Sequence, residues 1–104
     1  MTAAEFRRSD RTGEALLVVL GEIDLSNADD FRAAMQALLG EGRTPALVDL
    51  SGITFIDSTG MAALVAARET ADAAGIELVL VDPSPQARMV LEVTNLWTHF
   101  KTRP

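Results

Sequence analysis

Three short apolar runs, Ala15 to Leu20, Ala46 to Leu50 and Ile76 to Val81, are separated by stretches whose apolar residues recur every three or four positions. Runs this short and this apolar suit strands buried in a sheet, and the stretches between them suit amphipathic helices that cover it. The alternation therefore dictates an α/β fold. Ahead of the first run, Phe6 marks a short strand and Asp10-Arg-Thr-Gly13 a turn, so the chain opens with a hairpin and its sheet is mixed.

Local signals set the helices. Ser26 is expected to cap the first, with Asp29 and Asp30 at its positive end, Phe31, Ala34, Met35, Leu38 and Leu39 facing inward, and Gly40 and Gly42 ending it. A loop from Ser51 to Asp57 follows the central strand. Ser58 then opens a second helix, which packs through Met61, Leu64, Val65 and the alanines up to Ala74 and stops at Gly75. Pro83 and Pro85 start a last helix with Ala87, Val90, Leu91 and Leu96 inward, and Trp97 to Phe100 reads as a closing edge strand. The expectation is a single domain over residues 1–104, with a mixed central sheet of four to five strands, an N-terminal hairpin and three or more helices. A chain of 104 residues buries roughly two-thirds of its unfolded surface, enough for one core without staples.

Composition removes several function classes. Cysteine is absent, and His99 is the sole histidine, so thiolate and imidazole metal clusters are ruled out. With 15 acidic against 9 scattered basic residues, the chain offers no footprint for nucleic acid or an anionic membrane. Its apolar runs fall far short of the roughly 20 residues of a membrane span, and Met1 to Asp10 has no signal-like apolar core, so a cytoplasmic protein is expected. No glycine-rich phosphate loop ending in Lys and Ser or Thr occurs. Asp24, Asp49 and Asp57 invite a metal site or an acid/base pair, but no motif specifies one. A receiver-type phospho-aspartate at Asp49 lacks the acidic pair after the first strand, and Lys101 is the only lysine, near the end. The expectation is no catalysis, no cofactor and no metal.

The informative segment is Phe55-Ile-Asp-Ser-Thr-Gly-Met61, which sets hydroxyls where a loop after a buried strand becomes a helix. Ligands gather at the carboxyl ends of such strands, and a helix start offers unpaired N–H groups and about half a positive charge. The plain reading is that Ser58 merely caps its helix. Against it stand Asp57 before, and Thr59 and Gly60 after, glycine being a poor helix former that leaves backbone accessible to another molecule. Met61, in the first turn, is either core or a partner contact.

These residues resemble the STAS domain family, and within it the small bacterial anti-sigma factor antagonists. Gly21-Glu-Ile-Asp24 is similar to the family's element at the end of its second strand, and Leu47-Val-Asp-Leu-Ser51 with Phe55-Ile-Asp-Ser-Thr-Gly60 to its central strand and phosphorylation loop. The likeness covers nearly the whole chain. It departs at Met61 and Ala62, where leucine and glycine are common, and a final helix found in many members is short or missing. The resemblance implies a partner-switching protein. Its unmodified form binds an anti-sigma serine kinase of the GHKL type and frees a sigma factor; phosphate on Ser58 ends that binding, and a serine phosphatase restores it. Partner contacts would fall on Asp24, Asp57, Thr59, Gly60 and Met61, and the protein would be a monomer or weak dimer. A second function within the resemblance is an accessory subunit of an ABC lipid-transport ATPase.

Overall fold

The computed structural model describes residues 3–104. Five strands, β1 (Ala4–Arg11), β2 (Glu14–Ile23), β3 (Ala46–Ile56), β4 (Leu78–Val81) and β5 (Lys101–Arg103), form one sheet in the order β1-β2-β3-β4-β5. β1 pairs antiparallel with β2, and every later pair is parallel. Helices α1 (Ala28–Gly40), α2 (Ser58–Ala74) and α3 (Pro85–Val93) fill the connections after β2, β3 and β4. The mixed sheet, the hairpin and the three helices are those the alternating pattern requires.

Right-handed crossovers between strands added one after another put every helix on the same face. The core follows. Leu17, Val19, Val48, Leu50 and Leu80 point to that face and pack with Phe31, Met35 and Leu38 of α1, Leu64 and Ala67 of α2, and Ala87 and Leu91 of α3. Phe6 of β1 stacks on Phe31 with ring centroids 6.0 Å apart. The opposite face carries a smaller cluster drawn from the sheet alone, Leu16, Leu47, Val79 and Val81 with Val18 beside them.

Four local expectations are corrected. Ser26 does not cap α1: Asn27 occupies that position, and the Ser26 hydroxyl donates instead to Asp24 Oδ1 at 2.6 Å. The stretch from Ser51 to Asp57 is not a loop but the second half of β3, which irregular pairing with β2 carries on to Ile56 opposite Ile23. The fourth strand begins at Leu78 rather than Ile76. The edge strand lies after the aromatic cluster: Trp97–His99 is a 3-10 turn, Phe100 is buried, and Lys101–Arg103 pairs with β4. Gly75 does end α2, in the left-handed conformation (φ 71°) that lets its N–H reach back to the last carbonyls.

Candidate functional site

The ends of the two longest strands bring two loops together. Ile23 and Ile56 are register partners, and the Asp57 N–H donates to the Ile23 carbonyl at 3.2 Å, so Asp24 and Asp57 leave adjacent strands side by side. Both turns are stabilised by their own aspartate. Asp24 Oδ1 accepts from the Ser26 N–H at 2.9 Å and from its hydroxyl, while the Asp24 N–H donates to Asn27 Oδ1 and the Asn27 amide to the Glu22 carbonyl. These bonds seat the start of α1 next to the start of α2.

At α2 the cap is Asp57, whose Oδ1 accepts from the Thr59 N–H at 2.9 Å, the Gly60 N–H at 3.2 Å and the Thr59 hydroxyl at 2.5 Å. Ser58 is the first residue of the helix, exposed, and its hydroxyl has no hydrogen-bond partner among the described residues. The reading of Ser58 as a plain cap is thereby overturned: the aspartate, with two oxygens and a charge, takes that role and leaves the serine to solvent.

The neighbouring positions divide between surface and interior. Thr59 is half-buried. Gly60 is buried, and a Cβ there would sit 2.7 Å from Ile56 Cγ1 and 2.8 Å from Ile23 Cγ2. Glycine at this position therefore serves close packing of the helix start on the two strand ends, not access for another molecule. Met61 is likewise core, 4% exposed, and offers no surface to a partner. The exposed residue of this turn is Ala62, one helical turn beyond Ser58 and on the same side.

Ala62 and Thr59 open onto a groove of about 230 Å³ between the starts of α1 and α2, walled on the α1 side by Leu25, Ala28, Asp29 and Arg32. Leu25 is 80% exposed, and Phe55, one residue before the end of β3, is 46% exposed. Arg32 and Arg11 make no ion pair among the described residues, whereas Arg7, Arg8, Arg43, Arg68, Arg88, Lys101 and Arg103 all do. Sequence reasoning missed Leu25 and Arg32. Leu25 had a signal, an apolar residue in a polar turn outside any stripe; Arg32 had none, because its place depends on how α1 lies against α2.

Asp49 is remote from this end. It lies within β3 on the face without helices, and its Oδ1 accepts from the Ser51 N–H at 2.8 Å, which leaves it outside any strand-end phosphorylation site. The described residues hold no group of three or more His, Cys, Asp or Glu able to bind a metal, and no helix of theirs is long and apolar enough to cross a membrane.

A family model described as STAS domain matches residues 3–104. The chain is 28% identical over 87 residues to the anti-sigma F factor antagonist of Lysinibacillus sphaericus, covering 82% of this chain and 74% of that protein. Among solved structures it is similar to an anti-sigma factor antagonist from Mycobacterium paratuberculosis, with TM-score 0.86 and 25% identity over 98% of this chain and 86% of the other. The fold is also that of the Bacillus cell fate determinant SpoIIAA in its phosphorylated form, with TM-score 0.67 and 23% identity over 94% of this chain and 90% of the other.

Proposed function

The chain belongs to the STAS domain family, and from that premise we propose that it is an anti-sigma factor antagonist whose docking is switched by phosphate on Ser58. In the unmodified form the end of the molecule holding Ser58, Ala62, Leu25 and Asp24 docks on an anti-sigma serine kinase in the cytoplasm, and a sigma factor is released. A serine phosphatase resets the modified form.

The observation that carries this reading is the uncapped, exposed hydroxyl of Ser58 beside Asp57. Phosphate there adds about −1.5 to −2 charges next to two aspartates. Within the fold it is tolerated, because Ser58 is solvated and because the helix start favours an anion by about 0.3 to 2 kcal/mol. At a docked surface the same charge, neither solvated nor paired, costs several kcal/mol, and each ~1.4 kcal/mol is tenfold in affinity. Binding is lost while the domain stays folded. The names of the relatives and the phosphorylated state in which SpoIIAA has been solved agree with this reading.

The test is mass spectrometry of the protein from its own cells, together with capture of its partner on wild-type and Ser58→Asp protein. Phosphate on Ser58 is expected, as is an ATP-binding anti-sigma factor held by the wild type and released by S58D. Equal capture by both proteins, or a transporter ATPase as the partner, overturns the reading.

A further inference from the structure

Two adjacent hydroxyls stand at the start of α2, and we propose that Asp57 decides between them, holding Thr59 back so that Ser58 alone accepts the phosphoryl group. The inference rests on the Ser58 switch proposed above. In the transfer, a bond forms between the hydroxyl oxygen and the γ-phosphorus of a nucleoside triphosphate held by the kinase. The bond from that phosphorus to its bridging oxygen breaks, the diphosphate leaves, and the hydroxyl proton passes to a base on the kinase. The accepting oxygen must therefore be free to line up with phosphorus and to give its proton outward.

Thr59 meets neither condition. Its hydroxyl donates to Asp57 Oδ1 at 2.5 Å, its side chain is half-buried, and the carboxylate that holds it opposes the approach of a negatively charged triphosphate. Turning it outward breaks a charge-assisted hydrogen bond and disturbs an oxygen that also receives the N–H groups of Thr59 and Gly60. Ser58, exposed and without a partner among the described residues, turns freely. Asp57 is thus a positioning residue that acts through Thr59.

The experiment compares the phosphorylation sites of four proteins isolated from their own cells: wild type, Ser58→Ala, Asp57→Gly and the double variant D57G/S58A. Glycine is a tolerated N-cap residue that removes the carboxylate. The expected pattern is phosphate on Ser58 in the wild type, none on Thr59 in S58A, retained Ser58 phosphate in D57G, and Thr59 phosphate in D57G/S58A about tenfold or more above S58A, as loss of a hydrogen bond to a charged group implies. Thr59 phosphate in S58A with Asp57 intact overturns the proposal, as does its absence from D57G/S58A. Loss of Ser58 phosphate in D57G also overturns it, since Asp57 would then serve the kinase directly or activate the hydroxyl. A wild type without phosphate on Ser58 overturns instead the switch itself. If D57G unfolds at growth temperature, the four proteins are compared in cells grown at a lower temperature at which D57G is folded; Thr59 phosphate above S58A is again expected, and its absence again overturns the proposal.

Discussion

Arg103 Nη1 lies 2.9 Å from Glu14 Oε1, a pair that joins the last strand to the second across β3 and β4 on the helix-free face of the sheet. Register sets Arg103 beside Val81 and Glu14 just before Ala15, so the two side chains meet above the face that carries Leu47 and Val79. Their apolar stems add cover to a cluster that no helix shields.

The hydrogen bond from Arg103 holds the Glu14 carboxyl below the usual glutamate range and raises the Arg103 guanidinium in turn. A folded-state pKa that is depressed contributes stability above the unfolded value and loses it as pH falls through the folded one. Glu14→Gln is therefore expected to lower the thermal midpoint near neutral pH, and by less at a second pH well below the usual glutamate range. Equal differences at both pH values in a thermal melt would show that the ion pair makes no contribution to stability.

Replacing the cap separates structure from signalling. Asp57→Ala is expected to cost about 1 kcal/mol, or about 4 to 8 °C in a domain this size, whereas Ser58→Ala changes stability by less than about 0.5 kcal/mol. Calorimetry of the two variants checks the assignment, and a larger loss in S58A would make Ser58 the cap after all.

Gly60→Ala adds a methyl group against Ile23 and Ile56. Overpacking is expected to cost about 1 to 3 kcal/mol, more than the roughly 1 kcal/mol that alanine gains in helix propensity. Urea unfolding reads the balance; a stabilised variant would mean that the two isoleucines yield.

Met61→Ala and Leu25→Ala should act oppositely. The first empties a core site and is expected to destabilise by about 2 to 5 kcal/mol. The second removes an exposed side chain, shifts stability by less than about 0.5 kcal/mol, and weakens capture of the partner. Urea midpoints and pull-down yields measured on both proteins distinguish folding from docking.

What the sequence made legible was whatever depends on periodicity. Stripes such as the one from Phe31 to Leu39 marked each helix, and the three apolar runs marked β2, β3 and β4, because burial of one face forces those residue types at those spacings. The extension of β3 beyond Leu50 was hidden, since Ser51 and Gly52 interrupt the apolar run and read as a turn although Ile53, Thr54, Phe55 and Ile56 suit a strand; pairing with β2 carries the strand across them. β5 was hidden for the opposite reason. Lys101, Thr102 and Arg103 are exposed and carry no apolar signal, while Trp97, which reads like a strand residue, instead lies 4.4 Å beneath the Arg88 guanidinium. At both helix starts the sequence offered neighbouring residues of cap type, and propensity cannot choose between Ser26 and Asn27 or between Asp57 and Ser58. The junction holding Ser58 was legible; the groove beside it was not, because it arises from the contact of two helices.

The order of the sheet has a consequence for how the molecule is made. Each strand lies against the one synthesised just before it, so every newly emerged segment finds its template already waiting and none must be held open for a later arrival. A polypeptide leaving the ribosome can close its layers in the sequence in which it is translated, and the end that carries Ser58 is assembled before the final strand exists.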